Sequence, residues 1–181
     1  MPSFVALFRG INVGRAKRIA MADLRALLES LDYGDVRSLL NSGNVVFAAT
    51  KGSAPSHAKA IRAAVAARLG VDALVIVKSA QEIAAIVAGN TLADSASDAS
   101  RLLVAMTQDD KSLAGIQTLA QADWGSEALH LGPHAAYLWC ADGILESKAA
   151  VALLKGLADQ GTTRNWATLE KIAAMLAAAR P

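Results

Sequence analysis

The chain has 181 residues, 54% of them hydrophobic, and a formal net charge of +2, which provides enough apolar chain to bury a sizeable core in one large domain or two small ones and excludes a disordered protein. No apolar run approaches the roughly 20 residues that span a bilayer, and the opening MPSFVALFRG has neither a basic n-region nor a small-residue cleavage site, so a soluble cytoplasmic protein is expected. The single cysteine, Cys140, has no partner for an internal disulfide and no His/Cys spacing for zinc, which argues against a structural metal.

In chain order, residues 4–9 form an apolar run that reads as the first strand. Residues 20–32 carry Met21, Leu24, Leu27, Leu28 and Leu31 on one helical face, with Gly34 just past the end. Two strands, 35–40 and 44–49, are joined through NSGN, where Gly43 and Asn44 tolerate positive φ. A helix over about 55–69 puts Ile61, Val65 and Leu69 in register and stops at Gly70. ALVIV at 73–77, rich in β-branched residues, supplies a fourth strand. The order βαββαβ predicts the split βαβ unit of ferredoxin-like folds, an antiparallel four-stranded sheet with both helices on one face. Within it, strands one and three are expected to be central and parallel. Because strand one is apolar on both faces, its sheet is expected to be covered twice.

Ser79 and Glu82 have capping-box spacing for a short helix through Ile83, Ile86 and Val87, closed by Gly89-Asn90. The small, polar, aperiodic NTLADSASDAS at 90–100 reads as a linker. Beyond it, LLVAM (102–106), EALHL (127–131) and AAYLWC (135–140) read as strands, and 110–121, 147–158 and 165–178 as helices. No last strand is visible in this half. The predicted class is therefore α+β, two ferredoxin-like (split βαβ) subdomains, the second incomplete and ending in helices. Their boundaries fall at 1–89 and 102–181, with 90–101 between. The expected core includes Leu24, Leu27, Leu28, Leu31, Val46, Ile76, Leu103 and Trp166.

RGINVG at 9–14, MADLRALL at 21–28, DVRSLLNSGNVVF at 35–47 and TTRNWATLEKIAAM at 162–175 together resemble the DUF1697 family of bacterial proteins, the SP0830-like fold. The resemblance runs over nearly the whole chain and implies a pair of ferredoxin-like subdomains. It implies no activity, because the family has none assigned. This chain departs from the family pattern where Arg15 replaces a second glycine and where Asn41 stands for a common glutamine. The first change makes the loop stiffer and more basic.

That loop, RGINVGRAKR at 9–18, holds four cations, two glycines and no acid. It lies in the basic part of the chain: residues 1–78 contain eleven Lys/Arg against five Asp/Glu, and residues 79–181 seven against eleven. Gly10 and Gly14 allow close backbone approach, Arg9, Lys17 and Arg18, with Arg15, supply charge, and Asn12 offers hydrogen bonds to a ligand. The competing reading is a solvated connection whose glycines merely turn the chain. The ending Gly-Lys-Ser/Thr of a P-loop and the G-x-G-x-x-G of a dinucleotide fold are both missing. In TTRNW, Thr163 or Asn165 is placed to cap the last helix and Arg164 to offer a cation at its positive end, a second anion-site candidate. NSGN is expected at the opposite end of the sheet from the basic loop, as hairpin residues only.

Catalytic patterns are thin. His57, His130 and His134 are scattered, and no G-x-S-x-G or H-E-x-x-H occurs. SGNVVFAA does not match the RNA-recognition signature, although Phe4, Phe8 and Phe47 lie on the central strands. The sequence thus favours a binding protein for an anionic ligand, a nucleotide or nucleic-acid backbone, and identifies no cofactor. Two other readings stand beside it: an enzyme of unknown class whose phosphate- or carboxylate-bearing substrate is held by Arg9, Lys17 or Arg164, and an interaction scaffold without a small-molecule site.

Overall fold

The computed structural model describes residues 1–178. Its first βαββαβ series is β1 (Ser3–Phe8), α1 (Met21–Glu29), β2 (Gly34–Leu39), β3 (Asn44–Ala48), α2 (Ala54–Leu69) and β4 (Val75–Ser79), with sheet order β2-β3-β1-β4. Every neighbouring pair in this sheet is antiparallel. β1 and β3 are central, as expected, but they are not parallel. A helix returns the chain from β1 so that β2 runs the same way, and the tight turn after β2 sends β3 back between them. The reversal sets Leu7 opposite Asn44. The β2–β3 turn therefore lies at the end of the sheet where β1 exits, which corrects the expectation that NSGN sits at the other end.

The local chemistry explains the element ends. Ser53 and Ser56 close a capping box at the start of α2, and Gly70, at φ 68°, ends it. α1 stops at Glu29, so Leu31 lies beyond it and is half-buried. The left-handed residue after α1 is Asp32, at φ 63°, and not Gly34, which opens β2. In the β2–β3 turn Gly43 has positive φ as expected, but its companion is Leu40, since Asn44 already belongs to β3. Phe4, Ala6 and Phe8 of β1 join Val45, Phe47, Val75 and Val77 against Leu24, Leu27 and Leu28 of α1 and Ile61 and Val65 of α2. Val5, Leu7, Val46 and Ile76, on the other face of the sheet, are equally buried.

Ser79 and Glu82 open α3 (Ala80–Ala88) by the expected capping box, with Glu82 Oε2 accepting from Ser79 N and Ser79 Oγ accepting from Glu82 N. The second series is β5 (Leu102–Thr107), a 3-10 segment (Asp110–Ile116) running into α4 (Gln117–Ala120), β6 (Ala128–Leu131), β7 (Ala136–Trp139), α5 (Lys148–Leu157), β8 (Gly161–Asn165) and α6 (Trp166–Ala177). Its sheet order, β6-β7-β5-β8, repeats that of the first. The second subdomain is therefore complete in strands: the segment read as a helix start, Thr162-Thr163-Arg164-Asn165, is β8, paired along β5. Leu103, Ala105, Ala136 and Leu138 pack with Leu113, Ile116, Leu153 and Leu157 in its core.

By contacts the chain forms two compact units, one of Met1–Ile83 with the stretch from Ile172, the other of Ala84–Lys171. Among the described residues, no helix is long and apolar enough to cross a membrane.

Candidate functional site

The basic loop and the NSGN turn meet. Asn12, at φ 57°, donates its backbone N–H to the carbonyl of Lys17 (3.0 Å), pinching residues 12–17 closed. Its side chain then pairs with Ile19 as a neighbouring strand would, Oδ1 accepting from Ile19 N (2.8 Å) and Nδ2 donating to Ile19 O (2.8 Å). Nδ2 also donates to Asn41 O (2.8 Å). An amide has two hydrogens, and both are engaged. Asn12 thus fixes loop to turn while also lining the cleft between them.

Gly43 closes the same junction from the other side. Phe8 donates its N–H to Gly43 O (2.9 Å). A Cβ on Gly43 would lie 2.6 Å from Phe8 Cβ and 2.7 Å from Ile11 Cδ1, so nothing larger than glycine fits. Asn44 is buried, its Nδ2 donating to Leu39 O (2.9 Å) and Ser42 Oγ (3.1 Å). The two motifs are one structural unit. Gly10, Gly14 and Gly43 adopt positive φ within it at no cost, and Asn12, Lys17 and Leu40 do so as non-glycine residues, the kind of local strain that concentrates at ligand sites.

Between them lies a cleft of about 420 Å³, lined by Asn12, Arg18, Ile19, Ala20, Met21 and Asn41. Ala20 is the N-cap of α1 and makes no side-chain capping bond, which leaves the helix's first N–H groups without a side-chain acceptor. Asp23 stands in that first turn. Arg15, Lys17 and Arg18 are exposed, and Arg18 Nη1 donates to Gly14 O (3.0 Å). Arg9 is half-buried, with its N–H donating to Leu74 O (3.0 Å). Lys17 is near enough to Asp72 to influence it: the Arg62 guanidinium, at 2.8 and 3.1 Å, holds the Asp72 carboxyl below its usual value, and the Lys17 charge adds to that.

Arg164 and Asn165 are engaged in the second unit. Asn165 Oδ1 accepts from Thr168 N (2.9 Å) and caps α6, as the sequence suggested. Arg164 is only 8% exposed, with Nη1 donating to Thr162 Oγ1 (3.0 Å) and Thr163 O (2.7 Å), and burial lowers its pKa to about 10. The first-unit cleft is built without either residue. Sequence reading missed the Asp110–His134 pair (2.8 Å), because the two lie 24 residues apart, one opening the 3-10 segment and the other between β6 and β7. It also missed that His57 is a core residue, edge-on to Phe4, Phe47 and Tyr33, with Nδ1 bonded to Tyr33 Oη (2.9 Å). Among the described residues, no group of three or more His, Cys, Asp or Glu is placed to hold a metal ion.

Two four-stranded antiparallel sheets of the same order, each interleaved with helices, define the class: an α+β protein of paired ferredoxin-like subdomains. The chain belongs to the family described as "Protein of unknown function (DUF1697)", which it matches over residues 1–137. It is similar in structure to the conserved bacterial protein SP0830 from Streptococcus pneumoniae, with a TM-score of 0.79 at 25% identity, over 97% of this chain and 98% of that one. No curated protein matches the chain.

Proposed function

We propose that the cleft between the basic loop and the NSGN turn binds an anionic, phosphate-bearing ligand. The observation that carries this reading is a concavity lined by the exposed cation Arg18 and held by the Asn12–Asn41 bond, with the exposed cations Arg15 and Lys17 in the same loop. A pre-set concave site spares a ligand the ordering cost of closing a loop, and cations on one side of it attract anions selectively. The uncapped start of α1 adds N–H groups of the same polarity. Arg164 and Asn165 take no part, since their polar groups already serve β8 and α6.

A thermal-shift screen of nucleotides and inorganic phosphate at low salt tests the reading. A ligand at 100 times its Kd stabilises the folded chain by about 2.7 kcal/mol, a rise of several degrees in melting temperature. Lys17→Ala with Arg18→Ala should remove that rise while leaving the unliganded melting temperature in place. One observation favours a second reading, an interaction scaffold: both Asn12 amide hydrogens point inward, so the motifs also make sense as a folding junction. No rise with any phosphate compound would select the scaffold.

A further inference from the structure

The cleft has features that distinguish between anions, and this inference rests on the anion-binding reading above. Its volume, about 420 Å³, lies in the range of small-molecule sites, about 300–1,000 Å³. Its cations come from a single ten-residue loop, whereas a polyanion tracks a stripe of charge along a surface. Ile19, Ala20 and Met21 are the apolar residues of its lining, beside Asn12, Arg18 and Asn41. Val13 (71% exposed) and Leu40 (53% exposed), the chain neighbours of lining residues Asn12 and Asn41, extend apolar surface at both of its loops.

Two further observations weigh against an extended nucleic acid. The aromatic rings on which single strands would stack, Phe4, Phe8 and Phe47, are buried. Acids also stand around the loop: Asp23 in the first turn of α1, and Asp72 within electrostatic reach of Lys17. Asp72 is already paired with Arg62, so it is the Asp23 carboxylate that a phosphate chain continuing past the start of α1 would meet.

We propose that the cleft takes a compact phosphate monoester of about mononucleotide size, its phosphate at Arg18 and its organic group over Ile19, Ala20 and Met21. The experiment is a low-salt titration of the full chain with AMP, with inorganic phosphate and with a single-stranded oligonucleotide, repeated on Ala20→Trp. Ala20 is exposed, so the indole fills the cleft without disturbing the core. AMP should bind about tenfold more tightly than phosphate, the factor expected if roughly 55 Å² of apolar surface leaves water. Ala20→Trp should abolish that advantage. If AMP binds no better than phosphate, or if the oligonucleotide binds best and is indifferent to Ala20→Trp, the monoester inference is overturned while anion binding by the loop stands. If none of the three binds, both fall.

Discussion

Three residues act at the site's junction and core in ways that their types alone would not reveal. Asn12 is polar and lies in a glycine-rich loop, which suggests a ligand contact, and its amide also ties the loop to Ile19 and Asn41. That pairing depends on partners 7 and 29 positions away and is invisible in a local motif. Gly43 combines positive φ with a missing-Cβ requirement against Phe8 and Ile11. Gly43→Ala should therefore cost more than the ordinary glycine-to-alanine change, at least about 2 kcal/mol by urea unfolding, since it adds both backbone strain and overlap. His57 should couple stability to pH. Burial holds its imidazole below its usual pKa, so the folded chain binds fewer protons than the unfolded chain between that lowered value and about 6.5. Its contribution is complete above about pH 6.5, declines as the pH falls through that window, and levels off below the folded pKa. Urea midpoints across pH 5–7.5 should show this decline in the wild type and a smaller one in His57→Gln.

At the scale of elements, the apolar strands and most helices were legible and β8 was not. The stretch 110–121, read as one helix, is a 3-10 segment over Asp110–Ile116 with only Gln117–Ala120 α-helical. α1 and α2 announce themselves by leucine and isoleucine spacing and by the stop at Gly70, and β1 and β4 by continuous apolar runs. β8 is Gly-Thr-Thr-Arg-Asn, five residues with no aliphatic side chain. Its strand character comes from pairing with β5, whose Val104 faces Arg164 in register, and tertiary pairing of this kind overrides local propensity. The basic-loop site was half legible, because the cations are local but the position of NSGN depends on β3 being antiparallel to β1. Leu27, buried in the first core, should cost about 2–5 kcal/mol as Leu27→Ala. A different contact holds the end of α6. Arg37 Nη2 donates to Met175 O (3.1 Å) in its last turn while paired with Asp35 Oδ2 (3.0 Å). Arg37→Ala should lose roughly 1 kcal/mol and speed amide hydrogen exchange at residues 172–178, with exchange in β1 unchanged.

Over the whole molecule, the excess of positive charge in residues 1–78 and the location of the cleft in that same unit are what the anion-binding proposal builds on. Apolar periodicity, taken in chain order as βαββαβ, made the α+β class readable. Net charge alone, at +2, would not have drawn attention to any face. The most direct measurement is a map of backbone amide chemical shifts as a phosphate ester is titrated into the full chain. Binding in the cleft predicts saturable shifts concentrated at Gly14–Met21 and at Asn41–Ser42, abolished by Lys17→Ala with Arg18→Ala. Saturable shifts that fall elsewhere, on β6 and β7 for example, or an absence of saturable shifts at the loop, would contradict the account.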